Sequence, residues 1–149
     1  NREEIENENK LLEKVIESSE VDIPEAMVET QLKRELEEFG YRMQMQGINM
    51  EQYLQLTNTT EENLKDQLRP MAESRVKGDL VLEAIAKEEN IEVTEEDYDN
   101  ELAKLAESYG QEDKDTFIEN MKKGDLSFLD VSITNQKVIE MLKENVKFI

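Results

Sequence analysis

The sequence contains no cysteine, no histidine and no tryptophan in 149 residues. Without cysteine there is neither a disulfide nor a thiol nucleophile. Without histidine the commonest general base and metal ligand is missing. No indole is present to stack a sugar, and the remaining aromatics are four phenylalanines and four tyrosines. No apolar run approaches the length of a membrane span. No glycine pattern of the phosphate-cradling or dinucleotide type occurs. Asp97, Asp99 and Glu101 alternate like the ligands of a calcium loop, but Leu102 stands where such a loop needs glycine. Carboxylates are so numerous that no single pair marks a general acid and base. These absences argue against an enzyme, and they lead us to expect no cofactor and no metal.

Acidic charge is abundant. Against 18 basic residues stand 37 acidic ones, a formal net charge of −19. Such a field repels phosphate backbones and anionic lipid surfaces, so neither nucleic acid nor membrane is expected as a direct partner. The same charge keeps an extended helical protein in solution. The chain opens on Asn1 inside an already helical, charged stretch, with no signal peptide, and so reads as a fragment.

The organising feature is a repeat. Residues 10–40 read KLLEKVIESSEVDIPEAMVETQLKRELEEFG, and seventy residues later 80–110 read LVLEAIAKEENIEVTEEDYDNELAKLAESYG. Leu12, Glu13, Glu25, Leu32, Glu37 and Gly40 recur as Leu82, Glu83, Glu95, Leu102, Glu107 and Gly110. The apolar class is kept at Leu11/Val81, Val15/Ile85, Val21/Ile91, Ile23/Val93, Val28/Tyr98 and Phe39/Tyr109, with no insertion. Helical acidic sequences share Leu and Glu easily, but class agreement across the break between helices is not a composition effect. We read an αα unit written twice. The end of the unit's first helix recurs a third time at Val138–Leu142, which echoes Val81–Ile85.

Helical periodicity runs through the whole chain. A first helix is expected over 2–19, with a polar, frayed first half. A second starts near Ile23, capped by Asp22 with Glu25 three residues on, and ends at Gly40 or runs on to Gly47. Asn49 with Gln52, and Thr59 with Glu62, have the spacing of capping boxes. One long helix is expected over 60–90 with Pro70 inside it. Thr94 caps the next helix, over 95–109. Asp115 caps a short helix closed by Gly124, and a last helix covers 126–145. Residues 146–149 carry the single possible strand.

Apolar residues crowd the two stretches after the aromatic–glycine pairs. The first holds Met43, Met45, Ile48, Met50, Tyr53, Leu54 and Leu56, and the second Phe117, Ile118, Met121, Leu126 and Phe128. Methionine is flexible and polarizable and adapts to varied apolar partners. These residues are the candidate surface for binding exposed apolar segments of other chains. The competing reading is that each short helix packs on its own hairpin.

Val21–Val28, the run Arg69–Lys77 and the run Leu80–Ile91 resemble the C-terminal domain of the bacterial trigger factor family, and the resemblance spans essentially the whole chain. A periplasmic helical chaperone has a related core, but residues 69–91 favour trigger factor. The resemblance implies a single all-α domain over 1–149, elongated, with a helical body and two projecting helical-hairpin arms at about 23–79 and 92–137. It implies a cytoplasmic, ATP-independent chaperone that binds unfolded or nascent polypeptides and assists folding. A helical adaptor for one defined protein partner is the alternative. The family's basic ribosome-docking loop and its FKBP-like prolyl isomerase domain are not in this sequence. Contact with the ribosome is therefore expected only through the missing N-terminal domain, and weak self-association remains open.

Overall fold

The computed structural model describes residues 2–111 and 113–146. They are all-α, in the order α1 (Arg2–Ser18), α2 (Glu25–Met45), α3 (Met50–Leu56), α4 (Glu61–Glu88), α5 (Glu95–Ser108), α6 (Lys114–Lys122) and α7 (Asp130–Asn145). A 3-10 turn at Ser127–Leu129 leads into α7. Val146 is extended, and the rest of the possible terminal strand, 147–149, lies outside the described residues.

The repeat survives in the helix boundaries. α1 ends at Ser18 and α4 at Glu88, while α2 begins at Glu25 and α5 at Glu95, each pair seventy residues apart. α7 ends at Asn145, which keeps the spacing of the third echo. Four helices end in the same way. Gly47, Asn58, Asn90 and Gly110 take positive φ, and in each case the next residue's N–H returns to a carbonyl five positions back. Ile91 N donates to Ala86 O at 2.9 Å and Gln111 N to Ala106 O at 2.9 Å, the double-bonded left-handed termination that satisfies orphan carbonyls.

Several expected caps move. α2 starts at Glu25 with Pro24 as its N-cap and no side-chain cap, so Asp22 does not cap it. The residue before a proline is pushed out of the helical region, which keeps Ile23 extended. α4 is capped by Thr60, whose Oγ1 accepts from Asn63 N at 3.2 Å. Thr59 is already committed, its N–H bonding Leu54 O to close α3. α6 is capped by Asp113, which accepts from Thr116 N at 3.0 Å, and not by Asp115. Gly40 sits inside α2, so the helix runs on to Met45. Gly124 stays outside the left-handed region. The first half of α1 is helical, and Glu8 on it accepts from Lys143 Nζ of α7 at 2.6 Å. The box at Asn49 and the cap at Thr94 form as expected, and Asp97 closes the latter into a box as well.

The chain divides into two compact units, Val15–Val81 and the residues up to Lys14 taken with those from Leu82 onward. In the first unit Val28 and Leu32 of α2 close on Ala72 of α4, with Ile23 and Leu68 against them. Beside this core Glu35 is almost wholly buried, bonded by Gln31 Nε2 at 2.9 Å and by Arg75 Nη1 at 3.2 Å. Partner bonds of this kind are what make a buried carboxylate tolerable. The first turn of α2 is held from α4 by Arg69, which bonds Glu25 and Glu29 together. This fork draws the Glu29 carboxyl below its ordinary value.

The second unit has two cores. Leu82, Ala86 and Val138 gather Leu12, Ile85, Ile91 and Leu142. Leu102, Leu129 and Ile133 gather Tyr98, Leu105, Ile118, Met121 and Leu126. The Tyr98 hydroxyl donates to Asp130 at the start of α7.

Candidate functional site

The two apolar stretches singled out in the sequence are placed differently. In the second, Ile118 and Met121 of α6, with Leu126 after it, pack on the core around Leu102. Phe117 is half-buried beside Tyr109, ring centroids 6.5 Å apart, and Phe128 alone of this group is exposed. In the first, Met43, Ile48, Met50, Tyr53 and Leu54 are half-buried, but none joins a buried core cluster. Met45 and Leu56 are the most open, 72% and 77% exposed.

The local build of α3 explains this. Asn49 and Gln52 form a reciprocal cap, Asn49 Oδ1 accepting from Gln52 N at 2.8 Å and Gln52 Oε1 from Asn49 N at 3.1 Å. Seven residues then give two turns. One side of the helix turns to α2: Tyr53 meets Phe39 edge-on at 4.9 Å, and the methyl of Met50 lies over Gly40. Elsewhere on α3, Gln52, Gln55 and Leu56 are exposed. There Ile48 and Leu56 share an open groove of about 390 Å³ with Gly47, Gln52 and Gln55. Leu54 lines a separate hollow of about 360 Å³ with Gln55 and Asn58.

Charge distinguishes this region as well. Between residues 41 and 60 only Arg42 and Glu51 are charged, while six positions are Asn or Gln. A chain of net charge −19 thus carries a stretch of balanced charge and high amide content. That depletion is a sequence signal that could have marked the groove's polar side, since apolar content alone passed over Gln52 and Gln55 as lining residues. Glu35 and Arg75 were likewise passed over, because a glutamate on an acidic helix gives no sign of burial.

A second cleft, of about 280 Å³, lies between α5 and α7, lined by residues that include Asp97, Glu101, Lys104, Gln136 and Lys137. Most of its polar groups are spent on protein partners. Lys104 Nζ bonds Glu101 and Gln136, each at 3.3 Å, and Gln136 bonds Glu140. Lys137 Nζ bonds Glu92 O and Asp97 Oδ2, each at 2.7 Å. Asp97 also accepts from Thr94 N at 2.8 Å, and these bonds, Lys137 first, hold its carboxyl down at about 2. Such an arrangement fixes the start of α5 and offers little to a ligand. Among the described residues no group of acidic side chains is placed to hold a metal ion, and no helix is long and apolar enough to cross a membrane.

Residues 1–144 match the family described as the bacterial trigger factor protein C-terminus. The chain belongs to that family. It is 43% identical over 148 residues to trigger factor of Finegoldia magna, covering 99% of this chain and 34% of that protein. Trigger factor of Agathobacter rectalis is 46% identical over 147 residues, covering 94% of this chain and 31% of that protein. A solved structure of domains of trigger factor from Thermotoga maritima superposes with a TM-score of 0.65 at 27% identity, covering 94% of this chain and 81% of that one. The chain spans about a third of the length of the curated relatives it matches. The match is to the family's C-terminal domain and not to its isomerase domain.

Proposed function

We propose that this trigger factor C-terminal domain is a cytoplasmic, ATP-independent chaperone module that binds apolar segments of unfolded or nascent polypeptides weakly and reversibly. The observation that carries the reading is the exposed apolar side of the α3 region, where Met45 and Leu56 are open beside Ile48. A helix of two turns that keeps one side on Phe39 and Gly40 and leaves the other bare is built to be covered by something else. An exposed methionine such as Met45 suits partners of varied shape, because its side chain re-packs at little cost. The surrounding acidity keeps the protein dispersed while this surface is open. Phe128 is a second, smaller contact of the same kind. Any docking to the ribosome belongs to parts of a longer protein.

The test is suppression of aggregation. Two unrelated proteins diluted from denaturant should aggregate more slowly with this chain present and no nucleotide, and their folded forms should not bind. Replacing Met45 and Leu56 by Ser should weaken the effect on both. Activity toward one protein only, untouched by those substitutions, would point instead to an adaptor with one defined partner.

A further inference from the structure

We infer that the groove beside α3 reads the main chain of its ligand: it takes an extended, uncharged peptide segment, lays one aliphatic side chain against Ile48 and Leu56, and bonds the segment's backbone amides through Gln55 and Gln52. The inference rests on the polypeptide-binding reading and specifies how one site performs it.

Hydrogen-bonding capacity is the first argument. The Gln55 side-chain amide makes no hydrogen bond to the protein, and the Gln52 side chain spends only its Oε1, on the α3 cap, leaving its Nε2 free. A primary amide offers two donors and an acceptor, the complement of a peptide unit. Both amides lie in the same groove as two aliphatic side chains. The cleft between α5 and α7 makes the contrast, since its Lys104, Gln136 and Lys137 are committed to protein partners. Gly47 supplies the second argument. A Cβ built there meets no atom within 4 Å, and the residue lines the groove with backbone alone, so a ligand can approach closely. Charge is the third. A stretch with one basic and one acidic residue in twenty neither attracts nor repels by sign, so an uncharged segment fits where the rest of the surface would select by charge. A groove of about 390 Å³ holds one large aliphatic side chain with its flanking peptide units. Main-chain bonds then supply affinity that does not depend on sequence, and the apolar contact sets position.

The experiment compares a short uncharged leucine–serine peptide with the same peptide N-methylated at alternate backbone nitrogens, titrated against the chain and its Gln55→Ala and Leu56→Ala variants by fluorescence anisotropy. N-methylation should weaken binding at least about fivefold, as the loss of one or two hydrogen bonds does. Gln55→Ala should weaken the plain peptide about three- to tenfold and leave the methylated one nearly unchanged. Affinity should hold between 50 mM and 500 mM salt, values chosen to span about 14 Å to 4 Å of screening length. Circular dichroism on each variant checks that α3 is intact. Equal affinity for plain and methylated peptides, with Leu56→Ala still weakening both, would overturn main-chain recognition while leaving polypeptide binding standing. No binding of either peptide, together with no suppression of aggregation, would remove both.

Discussion

The two copies of the αα unit agree up to their glycines and part company immediately after. Gly110 takes φ +64 and ends α5, and the chain turns back so that Ile118 and Met121 of α6 reach the core around Leu102. Gly40 stays helical, α2 continues to Met45, and the turn is made seven residues later at Gly47. Those extra two turns carry the following short helix along α2 away from Val28 and Leu32, to where Tyr53 and Met50 of α3 pack on Phe39 and Gly40. Both stretches are rich in apolar residues, yet one packs mostly on a buried core, while the other joins none and leaves Met45 and Leu56 open. Where the preceding helix stops decides which, and apolar content does not.

The largest expected effect tests the packed side of that contrast. Leu102 is fully buried, and Leu102→Ala should cost about 2–5 kcal/mol of unfolding free energy through lost burial and the cavity left. Met121→Ser should also lower the urea midpoint, because Met121 rests on the same core. Leu56→Ser and Met45→Ser, at open positions, should stay within about 0.5 kcal/mol of the parent. A Met45→Ser protein that unfolds as readily as Met121→Ser would erase the distinction between the two stretches and assign the first to packing.

Much of the helical order was legible in the sequence, because helix ends carry local chemistry that a seventy-residue repeat states twice. A polar pair three apart located Asn49–Gln52, and Thr94 was legible as a cap directly ahead of its helix. The caps assigned to Thr59 and Asp115 failed because a second candidate stood close by, Thr60 and Asp113, and the one assigned to Asp22 failed because α2 starts on Pro24. Thr59 closes α3, so Thr60 opens α4. The candidate surface was half legible. Leu56 was read on a short helix, where it lies, and Met45 fell in the run between Gly40 and Gly47, through which α2 continues. Spacing could not tell Ile118 and Met121, which have a core within reach, from Ile48 and Leu56, which have none. Glu35 shows the same limit from the polar side, since the repeat puts Leu105 at its place in the other copy and only tertiary contact with Arg75 distinguishes them.

The breaks before the second helices differ too, and a smaller effect measures by how much. α5 begins with Thr94 and Asp97 in reciprocal bonds that Lys137 clamps from α7, whereas α2 begins on Pro24, with no side-chain cap to lose. Thr94→Ala should cost about 1 kcal/mol, the usual worth of such a cap. The Asp97 carboxyl lies near 2, below its ordinary 3.8, so its contribution is fully present above about pH 4 and is lost as pH falls through 2. Asp97→Asn should therefore flatten the acid limb of the stability–pH curve measured between pH 2 and 4. An unchanged acid limb would mean the Lys137 clamp contributes nothing to the second unit.

The smallest effect comes from the glycines themselves, and here the two copies should respond with opposite sign. Gly40 lies inside α2, where glycine is a poor helix former. A Cβ added there would stand 3.5 Å from the Met50 methyl, an ordinary contact. Gly40→Ala should thus stabilise by about 0.5–1 kcal/mol, chiefly by restricting the unfolded chain. At Gly110 there is equally little obstruction, with no atom within 4 Å of an added Cβ. The backbone nevertheless holds φ at +64, where an L side chain crowds its own carbonyl. Gly110→Ala should therefore destabilise by roughly 1 kcal/mol. Paired melts of the two variants read the sign directly. If both glycines tolerated alanine alike, the turn at Gly110 would not be what ends α5, and the reason given for why α6 folds back while α3 does not would fail with it.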